Sequence, residues 1–583
     1  MAFNRILIAN RGEIAIRLSR AIADCDATSV AVYAEDDAQS LHVRSADQAV
    51  ALQGQGVAAY LDAAQLIRIA KEQDCDAIHP GYGFLSENAD FARACQQAGI
   101  TFIGPAPEVL DTFGDKASAR RLAQQQGVPL TQGTNEPTTL EQARDFMQSL
   151  GDGAAVMLKA LAGGGGRGMR AVHDLAELDD AFARCSSEAT AAFGRGDLYV
   201  ERLIRRARHI EVQIIGDGTE VAHVWERDCT LQRRNQKLLE VAPAPSLDPA
   251  VREQLHAAAC TLTRAVGYRG LCTVEFLLDE ERGDFVFMEA NPRIQVEHTV
   301  TEAVTGLDLA VTQIQLAAGK TLAELGLTQA DIPAARGFAV QLRINLESMA
   351  ADGSTRPAGG TLSAYQPPSG PGIRVDGYGY AGYTTSPRYD SLLAKLIVHA
   401  GGDYPNTLRR AYRALCEFRL EGAASNLHLL QNLLQHPQVQ SNEVSTAFIE
   451  AEAASLTAAH PSAHPHRFFQ GSASSAATSS AQTDAPAGTE PLNAPVQGVL
   501  VSLDVQVGDS VAVGQQVAIM EAMKMEFVVK ATQSGIVRAL AANAGDSLFE
   551  GSALLYLEPA EVADNAQQDE ESVAIDHIRA DLQ

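Results

Sequence analysis

The sequence lacks the features that would place it in a membrane or in an oxidising compartment. It contains no run of about 18 apolar residues, so no membrane-spanning helix is expected. Its eight cysteines are scattered without a CxxC pair or metal-ligand spacing, which is typical of reduced packing residues in a cytoplasmic protein. The first residues, MAFNRILIANRGEIAIR, carry charge too early for a secretory signal.

Positive charge is also scarce. The chain has 46 lysines and arginines against 72 aspartates and glutamates, a net charge of −26. Such an acidic protein is not expected to bind nucleic acid or an anionic membrane surface. A phosphate-bearing ligand would therefore need a local cluster of Lys and Arg, and the GxxxxGK[ST] pattern of the P-loop is absent.

At 583 residues the chain is too long for one core, and its patterns change along its length. The first segment alternates strand-like runs (RILIAN, TSVAVYAE, AIHPGYG) with helical stretches, which predicts an open parallel sheet with functional loops at the strand ends. A smaller unit from about 120 to 200 and a mixed unit with hairpins from about 205 to 448 follow. Residues 451–490 are rich in Ala, Ser, Thr and Pro and are predicted to be a flexible linker.

An internal repeat follows the linker. GVLVSLDVQVGDSVAVGQQVAIME (498–521) aligns without gaps to GIVRALAANAGDSLFEGSALLYLE (535–558), which predicts a small β-barrel or sandwich with quasi-two-fold symmetry. AMKMEFVVKATQS joins the copies and puts Lys524 at the tip of the connecting hairpin. Either this tip has an accidental composition, or the methionines around Lys524 mark a handle presented to another protein.

A glycine-rich stretch, GGGGRG (163–168), formally matches GxGxxG. A β-like run, MRAVHD, follows it instead of a helix, so the pattern favours a strand–loop–strand flap over a dinucleotide fingerprint. The bare amides of such a flap can fold over phosphates. Lys159, just before the flap, and Lys116 are either phosphate ligands or solvated surface charges.

The stretch CTVEFLLDEERGDFVFMEANPRIQVEH (272–298) predicts a hairpin centred near Arg282. In that hairpin Glu275 and Glu289 face each other, which is unfavourable unless a cation lies between them. Asn291 lies on the same strand face, and two carboxylates with an amide oxygen suit Mg²⁺ held together with nucleotide phosphates. The alternative is a pair of solvated residues at a sheet edge.

Arg293, Gln295 and Glu297 continue the alternation on one face. A guanidinium, an amide and a carboxylate in line can bind a small oxyanion and remove a proton from it, although a surface ladder of salt bridges has the same composition. Lys237 and His209 are weaker signals in isolation.

Seven motifs run collinearly over about residues 1–450: NRGEIAIR, HPGYGFLSEN, KALAGGGGRGMR, RHIEVQII, ERDCTLQRR, EANPRIQVEH and RYDSLLAKL. Together they resemble the biotin carboxylase family of ATP-grasp ligases. Residues 492–559, with AMKM at the hairpin tip, resemble a biotinyl carrier domain. The resemblance implies an α-type subunit of a biotin-dependent acyl-CoA carboxylase.

The resemblance also implies a multidomain α/β and α+β fold. It comprises a Rossmann-like N-terminal domain (1–115), an ATP-grasp domain (116–320) with a mobile lid at about 130–204, and a C-terminal domain (335–448). The linker (451–490), an all-β barrel-sandwich biotinyl domain (492–559) and an acidic tail (560–583) complete the expected order.

Site residues are implied by the same resemblance. ATP would lie between the lid and the central domain and contact Lys116, Lys159, Gly165, Gly166, Glu201, Arg202, Leu203, Ile204, His209, Gln232 and Asn235. Mg²⁺, or Mn²⁺, would be held by Glu275, Glu289 and Asn291. Glu297 would deprotonate bicarbonate to give carboxyphosphate, and the bicarbonate would be held by Lys237, Arg293, Gln295 and the Val296 backbone. Arg343 would stabilise the biotin enolate, and carboxybiotin would form on Lys524.

Four residues depart from the family pattern: Asn235 replaces a common His, Val241 replaces a frequent Glu after QKLLE, Pro292 removes a backbone donor, and Leu161 enters the flap where Ser is common. No charged catalytic group is lost, so activity is expected. The implied partners are a carboxyltransferase subunit, a biotin protein ligase and a second copy of the chain. Rival hypotheses are another ATP-grasp ligase with a lipoyl-type carrier and a non-catalytic biotin carrier.

Overall fold

A computed structural model describes residues 2–134, 137–151, 155–160, 169–193, 195–234, 236–458, 485–486, 488–522 and 525–560. Within these ranges no helix is long and apolar enough to cross a lipid bilayer.

The N-terminal part is a five-stranded parallel sheet, as its alternating pattern predicts. Its strands are β1 (Arg5–Ile8), β2 (Thr28–Tyr33), β3 (Gln48–Ala51), β4 (Ala77–His79) and β5 (Thr101–Phe102), in the order β3-β2-β1-β4-β5. Ile6, Leu7 and Ile8 are fully buried because helices cover both faces of a parallel sheet. The helices are α1 (Gly12–Asp24), α2 (Leu41–Ser45), α3 (Gly56–Tyr60), α4 (Ala63–Glu72), α5 (Ala89–Gln97), α6 (Pro107–Gly114) and α7 (Lys116–Gln125).

A small unit with its own apolar core follows, and we call residues 137–202 the lid unit. It contains α8 (Leu140–Ser149), β6 (Val156–Ala160), β7 (Met169–Val172), α9 (Leu178–Phe193) and β8 (Leu198–Arg202). Strand β6 pairs antiparallel with both β7 and β8, so the strands that flank the glycine-rich stretch pair as the flap prediction requires. Residues 161–168 themselves lie outside the described residues.

One eight-stranded sheet forms the centre of the molecule, in the order β13-β12-β9-β10-β11-β14-β19-β18. Its first part contains β9 (Ala207–Asp217), β10 (Val221–Arg233), β11 (Gln236–Ala242), α10 (Pro249–Ala265), β12 (Arg269–Asp279) and β13 (Asp284–Asn291). The helices α11 (His298–Thr305), α12 (Leu309–Ala317) and α13 (Leu322–Leu325) follow. The next strands are β14 (Phe338–Asn345), β15 (Glu347–Met349), β16 (Thr355–Pro357), β17 (Ala364–Gln366), β18 (Ile373–Gly377) and β19 (Leu392–Ala400). Of these, β14, β18 and β19 belong to the eight-stranded sheet, and β15 pairs with β16 in a separate one.

Helices close this part of the chain and shorten the expected linker. They are α14 (Tyr404–Glu417), α15 (Leu427–Gln435), α16 (Pro437–Ser441), α17 (Phe448–Ala451) and α18 (Ala453–Thr457), with the strand β20 (Arg419–Glu421) after α14. Ala453 and Leu456 of α18 are buried, so residues 451–457 belong to the folded core and not to a linker. Residues 459–484 lie outside the described residues.

The internal repeat forms two four-stranded sheets, and we call Glu490–Pro559 the repeat unit. Its strands are β21 (Glu490–Asn493), β22 (Gly498–Leu503), β23 (Ser510–Val511), β24 (Gln516–Ala522), β25 (Met525–Lys530), β26 (Gly535–Leu540), β27 (Ser547–Leu548) and β28 (Ala553–Pro559). Their orders are β21-β28-β26-β23 and β25-β24-β22-β27. Each copy places its short middle strand on the other copy's sheet, since β23 pairs with β26 and β27 pairs with β22.

Glycines at matching positions explain why the two copies share their turns. Gly508 and Gly545 have φ values of 101° and 93°, and Gly514 and Gly551 have 82° and 83°. Residues with a Cβ rarely adopt such values. The predicted two-copy β unit is therefore confirmed down to its turns, whereas residues 561–583 of the expected acidic tail lie outside the described residues.

Candidate functional site

A row of charged side chains crosses four neighbouring strands of the central sheet. Glu289 on β13 pairs with Glu275 on β12, Glu275 pairs with Glu211 on β9, and Glu211 pairs with Arg227 on β10. The predicted opposition of Glu275 and Glu289 is present. The strand register shifts directly after Glu275, so the hairpin is not uniformly symmetric about Arg282 as the sequence argument assumed.

Lys237 on β11 lies among three carboxylates. Its Nζ is 2.6 Å from Glu211, 3.0 Å from Glu275 and 2.7 Å from Glu297. Burial alone would lower the pKa of Lys237, but the three carboxylates outweigh it and raise the pKa well above its usual value. Lys237 therefore stays cationic and is the shared counter-ion of the site.

The two opposed carboxylates differ in their surroundings. His209 Nε2 lies 2.8 Å from a Glu275 oxygen, and Asn291 donates to the other Glu275 oxygen at 2.9 Å. Burial alone would raise the pKa of Glu275, but Lys237 and His209 lower it. Burial and the charge of Glu275 raise the pKa of Glu289. A carboxylate whose ionisation is opposed by its neighbour fits a divalent cation, which would remove that opposition.

Glu297, fully buried, lies where the central sheet meets α11. Besides Lys237, it accepts from Arg343 on β14 at 3.1 Å, and Arg343 also contacts Glu240. Burial alone would raise the pKa of Glu297, but Lys237, Arg343 and Arg227 hold it well below its usual value. The site therefore contains a desolvated carboxylate anion next to two cations.

Arg293 connects the predicted oxyanion and metal residues. Its guanidinium donates to Asn291 at 3.0 Å and to Gln295 at 2.8 Å, and it also pairs with Glu87. Val296 contributes its carbonyl to Lys395 at 3.0 Å. Arg293 thus contacts Gln295, but β13 ends at Asn291, so the predicted strand alternation does not continue through Arg293, Gln295 and Glu297. Glu297 instead directly precedes α11.

The lid residues form a second group of contacts. Glu201, almost fully buried, accepts from Lys159 at 2.5 Å and from Arg120 at 2.6 Å. Arg202 pairs with Asp279 at 3.1 Å, and the Leu203 amide donates to the Ala155 carbonyl. Lys159 is therefore a partner of Glu201 in this structure, on the strand that leads into the glycine-rich stretch.

The other predicted residues lie at the border of the site or outside the described ranges. Lys116 is exposed at the start of α7. Its positive charge lowers the pKa of Glu289, against the larger raising effects of burial and Glu275. Gln232 contacts the His209 ring at 3.3 Å, and Ile204 is half-buried after β8. The residues outside the described ranges are Gly165, Gly166, Asn235 and Lys524.

Sequence reasoning missed several charged residues of the site, namely Glu87, Arg120, Glu211, Arg227 and Glu240. Glu211 carried a usable signal, because it alternates with His209 on one face of β9. The other four are placed by pairings between segments far apart in the chain, which local patterns do not reveal.

Four protein families match the chain in succession. They are described as biotin carboxylase, N-terminal domain (residues 2–110), carbamoyl-phosphate synthase L chain, ATP binding domain (115–325), biotin carboxylase C-terminal domain (341–451) and biotin-requiring enzyme (490–557). Their order agrees with the order of the folded units.

Individual relatives match different portions of the chain. Pyruvate carboxylase 1 of Caenorhabditis elegans is 48% identical over 454 residues, or 77% of this chain and 38% of that protein, so the chain spans well under half of that relative. The biotin carboxylase domain dimer of Hydrogenobacter thermophilus 2-oxoglutarate carboxylase, solved with MgADP, ADP and bicarbonate, is 39% identical with a TM-score of 0.72 and covers 79% of this chain and 100% of that one. A single-chain, multi-domain long-chain acyl-CoA carboxylase is 39% identical with a TM-score of 0.68, covering 96% of this chain and 51% of that one.

Replacing Lys237 by Met should destabilise the protein in a pH-dependent way. Removal of the cation leaves three carboxylates without their shared partner, which costs about 3–5 kcal/mol. In the unchanged protein the low pKa of Glu297 gives stabilisation that is present above its ordinary pKa of 4.5 and is lost as the pH falls through the folded-state pKa. Without Lys237, burial raises the pKa of these carboxylates, so Lys237→Met loses further stability as the pH rises above 4.5. The loss in Lys237→Met is therefore expected to be largest near neutral pH and to shrink towards pH 4.5.

Thermal unfolding of both proteins between pH 5 and pH 8 measures this difference. Lys320→Met, at an exposed position after α12, is the matched control and should unfold like the unchanged protein. A destabilisation that does not vary with pH would show that Lys237 does not hold these carboxylates ionised.

Proposed function

The chain belongs to the biotin carboxylase family, and we propose on that basis that it uses ATP and bicarbonate to carboxylate biotin on Lys524 and passes the carboxyl group to an acyl-CoA through a carboxyltransferase subunit. The observation that carries the proposal is Glu297, a buried anion between Lys237 and Arg343 beside a pair of opposed carboxylates. The cofactors and substrates of this function are biotin, ATP, Mg²⁺ (or Mn²⁺) and bicarbonate.

The metal site of the proposed function is Glu275, Glu289 and Asn291. The two carboxylates fit a hard divalent cation, since Glu275 and Glu289 oppose each other, and the Asn291 amide lies beside them, with its Nδ2 donating to Glu275 at 2.9 Å. The Asn291 oxygen, which here accepts from Arg293, would be its ligand atom. Mg²⁺ bound there supplies neutralising charge for the phosphates of ATP. Lys116 and Lys159, with Gly165 and Gly166 of the flap, hold those phosphates, and Glu201 to Ile204 line the adenine side.

Glu297 is assigned as the base that removes the proton of bicarbonate. A base works best when its pKa is near the working pH. The pKa of Glu297 is low as long as Glu297 is the anion that Lys237 and Arg343 neutralise. An anion held by Lys237, Arg293 and Gln295 competes for the same positive charge. Its binding therefore raises the pKa of Glu297 when the proton has to be removed.

Arg343 is assigned to the biotin side of the site. Glu240 and Glu297 outweigh the effect of burial and raise the pKa of Arg343, so it remains cationic. A fixed cation stabilises negative charge that develops on a ring oxygen opposite it. Biotin, when bound, supplies the ring nitrogen that carries the carboxyl group.

The domain boundaries proposed for this function are those that the resemblance implies, except that the C-terminal domain extends to Thr457. Similarity to a domain solved as a dimer supports a homo-oligomer, and a biotin protein ligase and a carboxyltransferase subunit complete the partners. We place the protein in the cytoplasm.

The acyl-CoA acceptor is supported by the relative that matches both functional parts of the chain. The long-chain acyl-CoA carboxylase covers 96% of the chain, and therefore includes the repeat unit. The pyruvate carboxylase match covers only 77% of the chain, and it supports the biotin carboxylase step without deciding the acceptor.

Glu297→Gln should abolish bicarbonate-dependent release of ADP while ATP still binds. Loss of a general base lowers the rate at least about 100-fold, whereas the metal and phosphate ligands remain. Steady-state ADP release and calorimetric ATP binding separate the two effects. Glu324→Gln, on the exposed helix α13, is the control, and persistent turnover in Glu297→Gln would overturn the assignment of the base.

Mass spectrometry of protein from its own host should find biotin on Lys524. Lys524 and Lys530 are the two lysines of the repeat unit, so Lys530→Arg should keep the modification and Lys524→Arg should lose it. Unmodified or lipoylated Lys524 would contradict the carrier assignment.

The acceptor is tested with the complex that co-purifies with the chain. A panel of acetyl-CoA, propionyl-CoA, a long-chain acyl-CoA, pyruvate and 2-oxoglutarate should show carboxylation of an acyl-CoA, measured by incorporation of labelled bicarbonate. Carboxylation of pyruvate alone would overturn the acyl-CoA proposal and leave the biotin carboxylase step intact.

A further inference from the structure

Within the described residues, the repeat unit contacts the preceding part of the chain, and two of these contacts are made by Arg388 and Gly359. Arg388 donates from Nε to the Ser547 hydroxyl at 3.0 Å and from Nη2 to the Gly545 carbonyl at 2.9 Å. The second contact joins Gly359 to Gln497 of the repeat unit. The Arg388 contact consists of two hydrogen bonds, whereas the Gly359 contact is a close packing of the Gln497 side chain against a residue without a side chain.

The Gly359 contact depends on the missing side chain of glycine. A Cβ built on Gly359 would lie 1.7 Å from Gln497 Oε1 and 2.3 Å from Gln497 Cδ, and its three nearest neighbours are all atoms of Gln497. The backbone of Gly359 does not have a positive φ, so its conformation does not require glycine. Gln497 is 4% exposed, and its Oε1 is buried without a hydrogen-bond partner. Glycine at position 359 is therefore required by the space that the Gln497 side chain occupies and not by the backbone conformation of Gly359.

Gly359 and Arg388 are attached to the strand that carries Arg343. Leu346 directly follows β14, three residues after Arg343, and its carbonyl accepts from the Ala358 amide at 2.9 Å. The Leu346 amide donates to the Ser391 carbonyl at 2.8 Å. These bonds attach the segments of Gly359 and Arg388 to Leu346, three residues beyond Arg343, which is assigned to the biotin side of the site.

Gln497 directly precedes β22 of the repeat unit. It precedes Gly498, where an added Cβ would meet the Glu521 carbonyl at 2.4 Å and the Ala522 Cβ at 3.2 Å. Ala522 pairs with Met525, and Lys524 lies between them in the sequence. Ser547 is held on the same sheet by pairing with Val499. The contacting face therefore borders the hairpin that contains Lys524.

We propose that Gly359 and Arg388 form a docking site for the repeat unit of the same chain, and that Gln497 seated over Gly359 aligns the Lys524 hairpin with the Arg343 strand during carboxylation. This inference rests on the proposed biotin carboxylase function and adds the residues by which the enzyme holds its own carrier. A cavity of about 380 Å³ remains between the two surfaces, lined by Tyr383 and Thr384 on one side and Leu548 and Phe549 on the other. The incomplete packing allows the carrier to leave for the carboxyltransferase.

The test uses the full-length biotinylated chain with Gly359→Val, which fills the space of the Gln497 side chain. Two rates are measured: bicarbonate-dependent ADP release supported by the attached carrier, and the same reaction supported by saturating free biotin. We expect the carrier-supported rate to fall about tenfold or more, since docking of the tethered carrier is lost. The free-biotin rate should stay unchanged, because Gly359 contacts no proposed catalytic group.

Two further variants separate docking from a general structural effect. Gln497→Ala added to Gly359→Val removes the clashing side chain and should restore a large part of the carrier-supported rate, a non-additive result that independent effects do not give. Gly401→Val is the matched control, since a Cβ there meets nothing within 4 Å. Small-angle X-ray scattering should show a larger radius of gyration for Gly359→Val and an unchanged one for Gly401→Val.

Each outcome decides one claim. An unchanged carrier-supported rate in Gly359→Val, or no rescue by Gln497→Ala, would overturn the docking proposal. No biotin-dependent ADP release in the unchanged protein, with either carrier or free biotin, would instead overturn the proposed function. Co-expression of Lys524→Arg with Gly359→Val chains should not restore the carrier-supported rate, and full restoration would show that the carrier docks on a second copy.

Discussion

The buried ammonium of Lys237 is the interaction on which the rest of the site depends. Glu211, Glu275 and Glu297 come from β9, β12 and the segment before α11, and each is within 3.0 Å of its Nζ. Without a shared cation, three desolvated carboxylates at this spacing would repel one another and take up protons. One lysine therefore lets the candidate base before α11 lie close to the candidate metal pair on β12 and β13.

In the proposed function, the same arrangement would link substrate binding to proton transfer. Lys237 and Arg343 neutralise Glu297 in the absence of other anions, and they are also the groups proposed to face bicarbonate and biotin. An arriving anion takes part of that positive charge from Glu297. In the proposed function, Glu297 would thus become more basic when bicarbonate is bound.

The sequence predicted the parts of the site that depend on short-range geometry. Glu275, Glu289 and Asn291 belong to one hairpin, so alternation and a turn were enough to bring them together. Arg293 and Glu297 follow in the chain but lie beyond the end of β13, where the alternation no longer applies. The repeat predicted the two halves of the repeat unit because a shift of the same length relates every strand. Arg227 and Glu240 could not be found this way, because strands from distant parts of the chain bring them to the site.

Some expectations had physical reasons to fail. The linker was predicted from an Ala-rich composition, but Ala453 and Leu456 have apolar neighbours in the preceding helices and continue the core. A composition rule does not register that a short helix can pack on a surface formed elsewhere in the chain.

The central sheet crosses the boundary at which the ATP-binding and C-terminal families meet. Strand β11 pairs with β14, so Lys237 and Arg343 lie on neighbouring strands although the families divide between residues 325 and 341. A gene fragment that ended at this boundary would leave β11 as an open edge with unpaired amides and carbonyls, a template for aggregation. Evolution can therefore exchange the carrier or the acceptor-specific partner of such a protein more easily than it can separate these two halves of one sheet.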